Sequence, residues 1–128
     1  MKNLKALPVL VLIAALLIIG GWTDSKVSAA SWRNMEIYNN TGYTIHRLYI
    51  SARGNSSWGN DLLGDDVLYN GGVHSIRYDA NYQYYELLVV LADGSKREWR
   101  GDHALNFKGS TMLVFSDNGD GSFRAKVD

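Results

Sequence analysis

Apolar and polar residues alternate with a period of two along much of the chain after Ser31. Phe123, Ala125 and Val127 interleave with Arg124, Lys126 and Asp128, the pattern of a strand with one buried face. Residues 45–50 and 75–78 are similarly rich in β-formers. Tyr84–Leu91 is different: YYELLVVL is almost continuously apolar, which predicts a central strand covered on both faces. Its two valines, two tyrosines and eight-residue length favour strand over helix. Asp93-Gly94 then predicts a two-residue hairpin into 95–100, and 117–121 a second hairpin between 111–116 and 122–127.

Seven or eight strands follow, over 34–39, 43–51, 66–69, 73–78, 84–92, 95–100, 103–107 with 111–116, and 122–127. No segment carries an amphipathic helix, though 60–63 suits a single turn. Strands at this spacing with glycine punctuation predict an all-β fold, an antiparallel β-sandwich, with an open β-barrel as the alternative. No repeat, low-complexity tract or linker interrupts 31–128, which reads as one domain.

The first thirty residues follow another pattern. Lys2 and Lys5 precede an apolar stretch, 7–20, and then the small residues Val27-Ser28-Ala29-Ala30. That order predicts a secretory signal peptide over 1–30, with cleavage after Ala29 or after Ala30. An uncleaved anchor is the rival. The sixteen residues 7–22 make roughly 24 Å of helix, short of the ~20 residues a bilayer core requires, and Pro8 and Gly20-Gly21 weaken it further.

Composition narrows the function. The 128 residues carry no net charge, and removing 1–30 leaves ten basic and twelve acidic residues, a net −2. Nucleic-acid binding by phosphate neutralisation needs a basic excess and is excluded. The absence of cysteine excludes disulfide scaffolds, thiol nucleophiles, cysteine-based zinc sites and a lipid-anchored lipoprotein. The expected product is periplasmic or secreted, with no membrane span after cleavage.

The stretch Asn40-Thr41-Gly42-Tyr43-Thr44-Ile45, then Leu48-Tyr49-Ile50-Ser51, then Trp58-Gly59-Asn60-Asp61-Leu62-Leu63-Gly64 resembles small exported bacterial modules. These share an N-x-T-G-x-x-I-x-x-L-Y-x-S…W-G-x-D-L-L-G pattern. A glycine-led strand and an apolar strand ending in an acidic turn usually follow in them; Gly71-Gly72 and 87–94 stand in those places. The resemblance covers most of 37–100. It implies an all-β fold and a periplasmic or surface setting, and it carries no activity and no catalytic residue.

Candidate chemistry concentrates in the 58–66 loop. Asp61, Asp65 and Asp66 crowd there beside Gly59 and Gly64, and hard cations such as calcium take oxygen ligands from loops of this kind. Three carboxylates alone underfill a calcium shell, and Asn60 or Asp61 equally suits capping of the turn at Leu62-Leu63. Calcium is therefore the one cofactor the chain suggests, with Asp61, Asp65 and Asp66 as its candidate ligands. The 117–122 loop fails as an EF-hand, since Gly119, Gly121 and Ser122 fill positions three, five and six.

His74 shares strand parity with Ile76 and Tyr78, and His46 with Leu48 and Ile50, the placement of partly buried structural groups. The mature chain contains no G-x-S-x-G elbow, and nothing singles out a carboxylate pair for glycoside hydrolysis. Fourteen aromatics follow residue 30, most suited to core and cross-strand packing, Tyr82, Tyr84 and Tyr85 among them as strand-entry packing. Trp58 stands out, because its loop is polar and glycine-containing; it is either an exposed anchor or a plug over the sandwich end. Sequons begin at Asn39 and Asn55.

The sequence thus predicts an exported, non-catalytic module that binds a protein or glycan of the cell envelope. Trp58 would be the apolar anchor and Asp61, Asp65 and Asp66 the polar rim. A calcium-dependent module and a small cell-envelope hydrolase are the alternatives.

Overall fold

The structure, a computed structural model, describes residues 29–128. The expected leader lies outside the described residues except for Ala29 and Ala30. Among the described residues no helix is long and apolar enough to cross a membrane.

Among the described residues eight strands form two sheets: β1 (Trp32–Asn40), β2 (Ile45–Ala52), β3 (Val73–Asp79), β4 (Tyr84–Leu91), β5 (Lys96–Trp99), β6 (Leu105–Asn106), β7 (Met112–Asp117) and β8 (Phe123–Val127). One sheet has the order β3-β1-β7-β8, and the other has β2-β4-β5 with β6 also paired to β4. All pairings are antiparallel except β1 with β7. The two open sheets make a sandwich, not a barrel.

Alternation sets the core. Met35, Ile37, Ile76, Tyr78, Leu113, Phe115 and Phe123 point from the first sheet towards Ile45, Leu48, Tyr85, Leu87, Val89 and Leu91 of the second. Phe107, Leu63 and Leu68 pack into the same cluster from connecting segments. β4 is central and buried on both faces: Glu86 and Leu88, on its outer face, are only 7% and 6% exposed. Glu86 stays solvated by protein, its Oε2 accepting the Gly101 N–H at 2.9 Å and its Oε1 lying 3.9 Å from Arg100 Nε.

Several expected elements are shorter or shifted. The 66–69 strand reduces to one bridge between Leu68 and Ile45. The 103–107 strand keeps only Leu105–Asn106, because Gly101–His103 winds into a 3-10 turn that delivers the Gly101 N–H to Glu86. A β-bulge between Ile45 and Arg47 inserts one residue, so His46 turns outward and does not share the face of Leu48 and Ile50. His74 does keep inward parity, opposite Ile37, and is half-buried.

Asn39 is 1% exposed, yet every polar atom of its amide is used. Its Nδ2 donates to the carbonyls of Tyr43 and Leu68 at 2.7 and 2.9 Å, and its Oδ1 accepts the Thr41 N–H and hydroxyl at 3.1 and 2.6 Å. One side chain thereby ties β1 to the following turn and to the segment that crosses back to β3. The sequon at Asn39 is consequently closed to glycosylation in the folded protein, whereas Asn55 is exposed.

Candidate functional site

A strap built from residues 53–68 covers the free edge of β2 and positions the site. Leu62 N–H donates to the Leu48 carbonyl at 2.8 Å, and Leu68 exchanges two backbone bonds with Ile45. The Ser51 hydroxyl donates to the Ser57 carbonyl at 3.0 Å, and the Ser57 hydroxyl accepts the Gly59 N–H at 3.1 Å. Gly59, at φ +76°, makes the reversal after Trp58 that an L side chain would strain.

Trp58 is half-buried in this strap. Its ring lies 6.5 Å from that of Tyr49, and the Arg100 guanidinium stands 5.2 Å from its centroid. Trp58 is thus packed against Tyr49 on the outer side of the β2–β4 sheet and also lines a groove.

That groove, of about 390 Å³, opens where the free edge of β3 faces the strap. Ile50, Tyr78 and Tyr85 form its deeper part. Trp32 and Tyr82, 56% and 54% exposed, stand at its mouth with Trp58. Asn55, Ser57 and Asn60 supply polar groups from the strap, and Arg77 and Asp79 supply them from β3. The register of β1 on β3 places Trp32 opposite Asp79, and the Arg77 guanidinium lies 5.0 Å from the Trp32 ring centroid.

The deep tyrosines are fixed donors. Burial raises the pKa of Tyr78 above its usual 10.0, with Arg33 acting against it, and burial likewise raises Tyr85. Both hydroxyls are used internally: Tyr78 donates to the Ser110 carbonyl at 3.0 Å, and Tyr85 donates to the Asp79 carbonyl while accepting the Tyr82 N–H at 3.2 Å. Tyr85 thus shapes the turn that presents Tyr82. Tyr85 also stacks on Phe107, centroids 4.5 Å apart, as strand-entry packing predicts, whereas Tyr82 faces solvent and Tyr84 lies under the Arg53 guanidinium.

The acidic residues of the 58–66 loop separate in role. Oδ1 of Asp61 accepts the N–H of Leu63 and of Leu48, both at 3.0 Å, which is the capping arrangement. Asp65 and Asp66 are exposed and outside the groove lining. Among the described residues no group of three or more His, Asp or Glu side chains is placed to hold a metal ion. The 117–122 loop closes the β7–β8 hairpin, Asn118 N–H donating to the Ser122 carbonyl at 2.9 Å. Among the described residues Asp79 is the carboxylate that lines the groove, and it accepts the N–H groups of Ser31 and Asn81 at 3.1 Å each.

The sequence reading therefore found one wall of the groove, Trp58, and missed Trp32, Tyr82, Arg77 and Asp79. Strand parity held part of the signal, since Trp32 falls on the face opposite Met35 and Ile37. The chain matches no protein-family model, and no curated protein or solved structure is significantly similar to it.

Proposed function

We propose that this protein is an exported, non-catalytic binding module for the cell envelope, and that its groove binds a glycan. The observation that carries the reading is the meeting of Trp32, Trp58 and Tyr82 around one groove whose floor is apolar and aromatic and whose polar lining is Asn, Ser, Arg and Asp. Sugar rings present apolar C–H faces and a fringe of hydroxyls. Aromatic faces with amide, hydroxyl and charged partners between them match both. The volume suits a short glycan segment, within the roughly 300–1,000 Å³ of small-molecule sites. The leader pattern of residues 1–30 supports export, and Asp79, held by two backbone N–H groups, offers a fixed acceptor at the groove.

Isothermal titration of the purified protein with soluble oligosaccharides cut from cell-envelope polymers tests this. Binding is expected for at least one, with Trp32→Ala and Tyr82→Ala each weakening it about tenfold, or roughly 1.4 kcal/mol, at unchanged melting temperature. Saturable binding that neither substitution touches would move the site elsewhere. No heat from any envelope oligosaccharide at millimolar concentration, alongside capture of an envelope protein through Trp32 and Tyr82, would replace the glycan by a protein.

A further inference from the structure

The start of the described chain is fastened to the β3–β4 turn by contacts that bear on its processing. Ala80 N–H donates to the Ser31 carbonyl at 2.7 Å, extending the β1–β3 pairing one residue beyond Trp32. The Ser31 nitrogen itself lies 3.1 Å from Oδ1 of Asp79. That oxygen is held in place by the Asn81 N–H at 3.1 Å. Before Ser31, one contact continues along the turn: Asn81 Nδ2 donates to the Ala29 carbonyl at 2.8 Å, at the surface. A carboxylate facing a main-chain nitrogen at the first laddered residue is a receptor for an α-ammonium group.

We infer that a signal peptidase cuts the Ala30–Ser31 bond and that Asp79 receives the new N-terminus at the rim of the groove. The inference rests on the export reading and adds to it the site of cleavage and the fate of the product. Ser28 and Ala30 then occupy positions −3 and −1, both small as the peptidase requires. Water is the co-reactant: the bond between the Ala30 carbonyl carbon and the Ser31 nitrogen breaks, hydroxyl joins Ala30 and a proton joins Ser31. At neutral pH the departing leader ends in a carboxylate, and the Ser31 amine takes up a second proton.

Cleavage converts a neutral N–H···carboxylate bond into a charge-assisted one. Cleavage one residue earlier would put the charge on Ala30 and leave Ser31 an ordinary amide. Of the nearby cations, Arg77 lies over the Trp32 ring and Arg33 is laddered opposite Tyr78. An α-amino group so paired has its pKa raised, so the contact is complete below the usual range of about 7.7–8.0 and is lost as pH rises through the raised value.

The experiment is to express the full chain in a secreting bacterial host and measure the intact mass and N-terminal sequence of the exported product. The α-amino group of that product is then titrated by NMR, with and without Asp79→Asn. A 98-residue product beginning at Ser31 is expected, with an α-amino pKa roughly half a unit above the ordinary value. Asp79→Asn and, independently of any variant, molar salt should both return it to ordinary. An exported product beginning at Ala30 or elsewhere overturns the inference and leaves export standing. A chain kept whole overturns both. A Ser31 terminus whose pKa ignores salt overturns the ion pair.

Discussion

Oδ1 of Asp61 accepts the backbone N–H of Leu48 at 3.0 Å, across the free edge of β2. The same oxygen holds the Leu63 N–H, so a single carboxylate turns the strap and docks it on the sheet. Asp61→Ala removes the acceptor of both N–H groups and should destabilise the protein by about 1–2 kcal/mol. Asp61→Asn keeps an acceptor oxygen and should lose markedly less. Urea midpoints at constant slope separate the two outcomes. Because this carboxylate is already committed to backbone donors, thermal unfolding in millimolar calcium and in chelator should coincide. A bound ion at ~100 times its Kd would instead add about 2.7 kcal/mol.

Asn39 makes a second, more deeply buried joint. Its replacement by alanine removes a donor to the carbonyls of Tyr43 and Leu68 and the acceptor of the Thr41 N–H, and leaves the Thr41 hydroxyl only its longer bond to the Tyr43 carbonyl. Asn39→Ala should therefore cost about 3 kcal/mol in denaturant unfolding, larger than for any exposed polar residue of the same strand such as Asn34. In a host that glycosylates exported proteins, mass spectrometry should find Asn55 modified in the folded product and Asn39 bare.

Two hairpin turns carry a pH signature. The Ser95 hydroxyl and N–H lower the pKa of Asp93 below 3.8, and the Ser122 hydroxyl and N–H do the same for Asp120. A depressed carboxylate stabilises the fold above the ordinary value and loses that contribution as pH falls through the depressed one. The turns should thus stay closed at pH 4 and loosen only in stronger acid. Carboxyl carbon shifts followed by NMR should show both groups titrating low, with Ser95→Ala and Ser122→Ala each returning its own aspartate towards 3.8.

How far the sequence reveals this arrangement depends on the range of the interaction. The alternation in Phe123–Val127 and the doubly buried run Tyr84–Leu91 are local signals, and both are realised. The Asp93-Gly94 hairpin also forms, but with a three-residue loop, 92–94, between Leu91 and Ser95 in place of the expected two. The parallel pairing of β1 with β7 joins Glu36 to Met112 across most of the domain, and no local pattern encodes it. The bulge that turns His46 outward is equally silent, because its cause lies in the pairing of Ile45 and Arg47 with β4. The groove follows the same rule. Trp58 is conspicuous within its own loop, but Trp32 and Tyr82 join it only once the β1–β3 register and the Tyr85 hydroxyl have set their positions.

Trp58 and Trp32 line one groove, yet their substitution should separate stability from binding. Trp32 is more than half exposed and packs chiefly with the Arg77 guanidinium, so Trp32→Ala should change stability by less than about 0.5 kcal/mol. The Trp58 ring contacts Tyr49 and the Arg100 guanidinium, and Arg100 in turn faces the buried Glu86. Trp58→Ala uncovers that part of the outer sheet face and removes the ring beneath Arg100, and should cost about 1–2 kcal/mol. Trp58→Phe retains a ring over Tyr49 and should recover most of the loss. Both alanine variants should weaken glycan binding, but only Trp58→Ala should also lower the melting temperature. Equal melting curves for the two would mean that the contacts of Trp58 with Tyr49 and Arg100 contribute nothing to the fold, and that its indole serves the groove alone.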